Sequence, residues 1–208
     1  MNDIKYIIGI DEVGRGPVAG PVAVGAVLFS TENKTAMEER FSNFKDSKKL
    51  SPKKRNEWFE NIKKAKNEGL LDYKVVFVDN KKIDEFGIAP SIRSCIKNSL
   101  KFLNVPESDS GTLEFDSGTL VLLDGGLKAP EEFVNQKTII KGDEKEMVIA
   151  LASIVAKVTR DSLMCRLAKE YPQYGLENHK GYGTKAHMTA IKKHGISEIH
   201  RKTYLKNI

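Results

Sequence analysis

The chain has 208 residues, of which 40% are hydrophobic and 30% are charged, and its formal net charge is +6. This balance indicates one globular domain with a sizeable core, alone or with a small appendage, and excludes a disordered chain. The early apolar run at 6–10 stops at Asp11 and is too short for a signal peptide or a membrane span. We therefore expect a cytoplasmic protein.

Strand and helix patterns intermingle along the chain, which predicts an α/β fold with a mixed sheet. Apolar runs rich in β-branched residues predict five strands, at 4–10, 22–29, 73–78, 120–123 and 138–140. The turn punctuated by Gly20-Pro21 predicts that the first two strands pair antiparallel.

Four helices are predicted from apolar periodicity and from start and stop signals. The first lies at 51–66, where Ser51-Pro52 supplies the N-cap and the first turn. The second carries Ile92, Ile96, Leu100 and Leu103 on one face. The third lies at 144–170, and the fourth lies at 184–194 and is ended by Gly195. A glycine-rich loop at 174–183 is expected between the last two helices.

The charge is concentrated at one end of the chain. Residues 180–208 contain seven lysines or arginines and one glutamate, and the rest of the chain is neutral overall. A basic end suggests a polyanion partner, although a solvated lysine-rich face explains it equally well. The four histidines lack zinc-ligand spacing, and Cys95 and Cys165 are expected to be buried thiols.

The string Asp11-Glu12-Val13-Gly14-Arg15-Gly16-Pro17 at the end of the first strand is the most informative motif. Two adjacent carboxylates supply the oxygen ligands that a hard cation prefers. The arginine and the backbone amides around the two glycines supply donors for a phosphate. A cation beside a phosphate is the arrangement needed for metal-assisted phosphodiester hydrolysis, whereas a strand ending in a turn with surface acids is the plainer interpretation.

Other carboxylates are placed to join Asp11. Asp124 also ends an apolar strand, and acids at the ends of adjacent strands converge on one sheet edge. Glu12 shares that site only if the chain leaves regular strand geometry, which Gly14 makes plausible, because successive strand side chains point to opposite faces.

Two further aspartates have structural alternatives. Asp143 reads as the N-cap of the predicted long helix, with an acid at the third position as in a capping box. Asp161 lies within that helix beside Arg160, and we interpret it as part of a helix-face ion pair or as an acid that orients a neighbour.

The chain resembles bacterial ribonuclease HII. The resemblance rests on motifs that occur in the family's order: Asp11–Pro21, Asp46-Ser47-Lys48-Lys49-Leu50-Ser51, Leu123-Asp124-Gly125, Lys141-Gly142-Asp143, Ala152–Asp161 and His179-Lys180-Gly181-Tyr182-Gly183-Thr184. It implies a ribonuclease H-like fold with a mixed five-stranded sheet flanked by helices. It further implies a catalytic domain at 1–170 and a basic loop and small helical C-terminal segment at 171–208 packed on it.

The resemblance also implies a reaction and its metal site. Asp11, Glu12, Asp124 and Asp143 would ligate two Mg²⁺ or Mn²⁺ ions, with Asp143 as the fourth carboxylate in preference to Asp161. The enzyme would hydrolyse the RNA strand of RNA/DNA hybrids. It would also incise duplex DNA on the 5′ side of an embedded ribonucleotide, leaving 3′-hydroxyl and 5′-phosphate ends. We expect a monomer with no membrane partner.

Reading ribose requires contact with the 2′-hydroxyl, and glycines allow the backbone to approach it closely. The resemblance assigns this reading, and contact with the neighbouring phosphate, to Gly14, Arg15 and Gly16, with Tyr182 as a second reader against the sugar. A tight turn is the alternative for the glycines, and an exposed loop aromatic is the alternative for Tyr182. Further phosphate contacts are expected from Lys48, Lys49, Ser153, Lys157, Arg160, Lys180 and Arg201, which together fit a groove that follows the nucleic-acid backbone. Each lysine taken alone is more often a solvated charge.

Two other functions are compatible with the same residues. A nucleic-acid-binding module without catalysis would use the same acids as caps and turns. Ribonuclease HIII resembles this family, but it has an extra N-terminal domain and lacks the arginine between the two glycines. Asp11 lies near the start of this sequence and Arg15 is present, so we prefer the ribonuclease HII interpretation.

Overall fold

The computed structural model describes residues 4–44, 50–103 and 118–206. Its centre is a five-stranded mixed sheet with the strand order β3-β2-β1-β4-β5. The strands are β1 Tyr6–Val13, β2 Val22–Ser30, β3 Asp72–Val78, β4 Thr119–Asp124 and β5 Gln136–Ile139. Each of the five predicted strands is therefore present, and the α/β fold class is confirmed.

The sheet is antiparallel on one side of β1 and parallel on the other. β1 pairs antiparallel with β2, as the turn at Gly20-Pro21 predicts, and β2 pairs antiparallel with β3. β1 pairs in parallel with β4, and β4 pairs in parallel with β5. The carboxyl ends of β1, β4 and β5 consequently lie at the same edge of the sheet.

The helices cover both faces of this sheet. They are α1 Lys34–Arg40, α2 Pro52–Asn67, α3 Asn80–Phe86, α4 Ile88–Phe102, α5 Gly142–Lys145, α6 Met147–Glu170, α7 Leu176–His179 and α8 Lys185–His194. The predicted caps of α2 and α8 are confirmed, since Ser51 accepts a hydrogen bond from the Lys54 amide and Gly195 ends α8 with φ +80°. Within the described ranges, no helix has both the length and the apolar character needed to cross a membrane.

Two cores lie on opposite faces of the sheet. One core packs α4 against side chains such as Ile8, Ile10 and Val121. The other packs α6, α2 and α1 against side chains such as Val27 and Leu122. α6 approaches β1 and β2 closely because Gly9 and Gly25 lack side chains: a Cβ added at Gly9 would lie 2.4 Å from the Val148 carbonyl carbon.

Several expectations about the helices need correction. The predicted helix at 144–170 is two helices, because Glu146 adopts extended geometry between α5 and α6. The amide of Gly142 in α5 is hydrogen-bonded to Asp124 of β4, so α5 is fixed to the sheet before α6 begins. The loop expected at 174–183 contains α7, and α1 and α3 are additions to the predicted set. Cys95 is buried as expected, whereas Cys165 is exposed.

The C-terminal segment forms a third apolar cluster on the end of α6. Met164 and Ala168 of α6 pack there with Tyr174, Leu176 and Ile191. Ala19, from the turn between β1 and β2, belongs to the same cluster. The segment that follows α6 is thereby placed directly against the turn that contains the Gly14-Arg15-Gly16 motif.

Candidate active site

Asp11 and Asp124 lie side by side at the carboxyl edge of the sheet. β1 and β4 are parallel neighbours with Ile10 opposite Leu123, so the next residue of each strand is an aspartate. Both side chains belong to the sheet face that packs against α6, because Gly9 and Leu122, two residues earlier in each strand, contact that helix or its core. The convergence expected from the sequence is therefore present.

Asp11 is a buried carboxylate with an altered proton affinity. Its side chain is 8% exposed, accepts a hydrogen bond of 2.8 Å from the Glu12 amide, and also accepts one from the Ser153 hydroxyl. Desolvation by burial raises the pKa of Asp11 to about 7, and the charges of Glu12 and Asp124 add to the rise against the lowering effect of Ser153. Excess negative charge in a confined site favours a bound cation.

Asp124 is fixed by the Lys141-Gly142-Asp143 motif. The Gly142 amide donates to Asp124 Oδ1 at 2.6 Å. Lys141 adopts a left-handed backbone with φ 55°, and a Cβ at Gly142 would lie 2.6 Å from Ile149 Cδ1. The motif thus uses a strained residue and a glycine to bring its backbone against Asp124.

Asp143 follows that amide directly and is 1% exposed. It is the second residue of α5, whose N-cap is Lys141, so the expected N-cap position for Asp143 is wrong. Its place next to the Gly142–Asp124 hydrogen bond puts it near the carboxyl edge of the sheet.

Glu12 departs from the expected geometry. Pairing between β1 and β2 continues in register through Glu12 and Val13, so the chain does not leave strand geometry at Glu12, and the positive φ of 92° comes later, at Gly14. Glu12 therefore belongs to the opposite sheet face from Asp11. Its Oε1 lies 3.0 Å from Arg15 NH1, and burial raises its pKa against the lowering effect of Arg15, with Asp124 adding to the rise.

The carboxylates do not form a finished coordination shell. In the described part of the chain, no group of three or more histidine, cysteine, aspartate or glutamate side chains is arranged to hold a metal ion. Three of the four expected carboxylates, Asp11, Glu12 and Asp124, nevertheless interact electrostatically with one another. This all-oxygen set, in which the pKa values of Asp11 and Glu12 are raised, fits a hard divalent cation.

The two elements expected to read ribose are neighbours. A Cβ on Gly16 would lie 3.7 Å from Cε1 of Tyr182, and the Tyr182 side chain is 41% exposed. The Val18 amide donates to the Gly181 carbonyl at 2.9 Å, which joins the turn after β1 to the loop after α7. Gly16 and the Tyr182 ring therefore border one accessible surface beside the acidic edge.

One face of α6 begins at the acidic edge and carries Ser153 and, one turn further, Lys157. Ser153 contacts Asp11, and Lys157 lies one turn further, with its Nζ 2.9 Å from Asp161 Oδ1. The ion-pair interpretation of Asp161 is confirmed. Asp161 follows Ser153 by eight residues, which is about 12 Å along a helix and too far for both to touch one ion.

Arg160 and Arg201 do not fit the expected phosphate contacts. Both are fully buried, and their guanidinium nitrogens donate to backbone carbonyls. Lys180 Nζ contacts the Glu177 carbonyl at its own surface loop. Lys48 and Lys49 lie outside the described residues.

A cluster of histidines that the sequence does not predict lies beneath Tyr182. His187 Nδ1 lies 2.9 Å from the Tyr182 carbonyl, and its Nε2 lies 3.2 Å from His200 Nε2. His179 stacks on His187 with ring centroids 4.3 Å apart. Burial lowers the pKa of His200 to about 4 and also lowers the pKa of His187, and the hydrogen bonds of these two rings support the loop. Their irregular spacing in sequence, at 179, 187 and 200, concealed this grouping.

Comparison with known proteins agrees with the fold. The model of the family "Ribonuclease HII" matches residues 8–207. A ribonuclease HII of Clostridioides difficile (strain 630) is 45% identical over 203 residues, which cover 98% of this chain and 71% of the relative. A ribonuclease HII of Caldicellulosiruptor saccharolyticus is 43% identical, over 98% of this chain and 89% of the relative.

Solved structures give the same result. Ribonuclease H2 from Pyrococcus horikoshii OT3 has a TM-score of 0.70 and 26% identity, over 95% of this chain and 93% of that protein. Bst ribonuclease HIII in complex with Mn²⁺ has a TM-score of 0.61 at 18% identity, a likeness of fold alone, over 97% of this chain and 65% of that protein. The chain therefore belongs to the ribonuclease HII family, a family of nucleases.

Proposed function

We propose that this protein hydrolyses the RNA strand of RNA/DNA hybrids and incises duplex DNA on the 5′ side of embedded ribonucleotides. The observation that supports this most is the adjacency of Asp11 and Asp124 at one sheet edge, beside an accessible surface bordered by Gly16 and Tyr182. The first pair suits metal-assisted hydrolysis of a phosphodiester, and the second suits close approach to a sugar.

The carboxylates would hold Mg²⁺ or Mn²⁺, with Asp11, Glu12, Asp124 and Asp143 as ligands. Glu12 would reach the cation from the end of β1, where it already interacts electrostatically with Asp11 and Asp124. Two such cations supply an activated water and charge stabilisation at the leaving oxygen. The chain prepares the site in two ways: the Gly142 amide orients Asp124, and the Glu12 amide and Ser153 orient Asp11. Attack at the phosphorus on the 5′ side of the ribonucleotide would leave 3′-hydroxyl and 5′-phosphate ends.

A basic cavity beside Arg15 supports a nucleic-acid substrate. It has a volume of about 190 Å³, lies between α4 and the loop after β4, and is lined by Arg15, Arg93 and Lys128 above an apolar floor that includes Ile92 and Leu127. Cations above an apolar floor suit a phosphate with its sugar or base. The cavity therefore leads from Arg15 of the glycine motif to α4.

A DNA duplex that contains a single ribonucleotide tests the proposal. With Mg²⁺, we expect one incision on the 5′ side of the ribonucleotide, resolved on a denaturing gel with end-group analysis, and no incision of the matched all-DNA duplex. Equal cutting of both duplexes would contradict ribose reading. Tight binding of both duplexes without cutting would favour the rival, a binding module without catalysis.

Gly16→Ala provides the matched variant for this experiment. Gly16 has no positive φ, and its added Cβ would make only an ordinary contact with Tyr182, so the fold should remain stable. The methyl group would obstruct close approach of the backbone to the sugar, so we expect kcat/KM on the ribonucleotide duplex to fall roughly 10- to 100-fold. Unchanged kcat/KM would show that the ribose is read elsewhere.

A further inference from the structure

Arg201 holds the backbone of the glycine motif from beneath. Its NH2 donates to the Gly14 carbonyl at 2.6 Å, its NH1 to the Arg15 carbonyl at 2.9 Å, and its Nε to the Gly20 carbonyl at 3.0 Å. The backbone of Arg201 adds a fourth contact, because its amide donates to the Val18 carbonyl at 2.8 Å. One residue from the C-terminal segment thus fixes four carbonyls of the turn that joins β1 to β2.

Arg160 completes this arrangement from α6. Its Nε donates to the Pro21 carbonyl at 2.9 Å and its NH2 to the Ala19 carbonyl at 3.4 Å. Its NH1 donates to the Lys180 carbonyl at 3.0 Å, in the loop that presents Tyr182. The two guanidinium groups therefore tie together both elements that face the proposed ribose.

These arginines are unusual because they are buried charges bonded to neutral partners. Both side chains are 0% exposed, and neither forms an ion pair with a carboxylate of the described residues. Burial lowers the pKa of Arg160 to about 10, yet the group stays charged at neutral pH. A buried, unpaired charge is costly, so a scaffold alone would be served better by neutral donors.

The arrangement has a consequence for the outer surface of the turn. Its carbonyls point inward to the guanidinium groups, while Arg15 and Gly16 are exposed. The amides of Arg15 and Gly16 donate no hydrogen bond to any other described residue. Two amides without a hydrogen-bond partner among the described residues therefore lie at the exposed part of the turn, with two positive charges on its buried side, and such a surface suits a hydroxyl oxygen and a phosphate.

We propose that Arg160 and Arg201 are positioning residues that turn these carbonyls inward and so present the Arg15 and Gly16 amides to the ribonucleotide. This inference rests on the proposed function and deepens it, because it makes sugar selectivity depend on two side chains that never touch the substrate. The guanidinium N–H groups orient the carbonyls of the turn, and their charge adds positive potential at its surface.

The backbone around Arg201 is itself anchored by α3. Asp84 accepts hydrogen bonds from the Lys202 amide at 2.8 Å and the Thr203 amide at 2.9 Å. This contact is exposed and lies outside the buried arginine pair. Asp84 therefore allows the position of Arg201 to be perturbed without removing a guanidinium group.

Arg201→Lys tests the proposal, with Arg166→Lys on the exposed surface of α6 as the matched control. Affinity is measured for the ribonucleotide duplex and the all-DNA duplex with Ca²⁺ in place of Mg²⁺, together with hydrogen exchange of amides 14–21 and Mn²⁺ binding. We expect affinity for the ribonucleotide duplex to fall roughly 10- to 100-fold towards that for DNA. Exchange at 14–21 should become faster, and Mn²⁺ affinity should stay within about twofold because the carboxylates are untouched.

Asp84→Ala is the second variant, and it decides the matter if Arg201→Lys does not fold. It should lower affinity for the ribonucleotide duplex and speed amide exchange at 14–21, both by less than Arg201→Lys does. Wild-type sugar selectivity and exchange at 14–21 in the variants would overturn the proposal, as would a parallel loss of Mn²⁺ affinity and overall stability. A wild-type protein that cuts no ribonucleotide duplex would instead remove the proposed function, while the exchange measurement would still decide the positioning role.

Discussion

Asp124→Asn and Asp11→Asn are each expected to reduce Mg²⁺-dependent incision at a ribonucleotide by roughly 1,000-fold or more, because each removes a charge that no neighbour replaces. The two side chains meet at the ends of β1 and β4, and Asp124 is already oriented by the Gly142 amide. The measurement is single-turnover cleavage at saturating enzyme, which separates the chemical step from substrate binding.

Asp11→Asn should at the same time stabilise the metal-free protein. The pKa of Asp11 is about 7 in the folded state against 3.8 for the unconstrained group, so the folded protein binds the extra proton between these values. Stability from this group is therefore lost as pH rises from about 4 to 7 and does not return above it. At pH 8 the neutral asparagine should raise the free energy of unfolding by on the order of 3 kcal/mol, a gain that disappears near pH 4.

Denaturant unfolding at pH 4 and pH 8 in the presence of a chelator measures this difference. Glu131→Gln is the control, because Glu131 is exposed and lies in a turn outside every strand and helix. A variant that loses both activity and stability at pH 8 would show that Asp11 is required for folding, and a variant that keeps its activity would remove Asp11 from the site.

The parts of the site that sequence could predict are those governed by strand periodicity. Asp11 and Asp124 each end an apolar run, and alternation along a strand, with parallel pairing, suffices to bring them together. The geometry at Glu12 is harder to predict, because Gly14 indicates a departure from the strand without fixing its position: pairing continues to Val13 and the positive φ comes only at Gly14. Local propensity shows that strand geometry ends here, but tertiary pairing decides where.

The buried arginines illustrate what sequence could not supply. Arg160 donates to the Pro21 carbonyl, 139 residues away, and Arg201 donates to the Gly14 carbonyl, 187 residues away. In a sequence, a basic residue beside a basic segment indicates a surface contact with phosphate, because burial of an arginine is rare. Only the packed structure reveals that backbone carbonyls, rather than a polyanion, satisfy these donors.

The break in the predicted long helix also depends on a tertiary contact. Its apolar stripe predicted one continuous element, and neither glycine nor proline marks a break at Glu146. The break arises from the hydrogen bond between Gly142 and Asp124, which fixes α5 against β4 before α6 begins. As a result Asp143 lies inside a short, anchored helix, where a cap at the start of one long helix was expected.

This placement makes the fourth carboxylate testable by a direct comparison. Asp143→Asn should reduce cleavage roughly 100-fold or more, because the lost charge lies next to the amide that orients Asp124. Asp161→Asn should reduce the cleavage rate by no more than about threefold, because the Asp161 carboxylate pairs with Lys157 and lies about two helical turns from Ser153. Mn²⁺ titration of both variants provides a readout independent of cleavage, and weaker Mn²⁺ binding is expected only for Asp143→Asn. The reverse order, with Asp161→Asn the more damaging change in both assays, would move the fourth ligand onto α6.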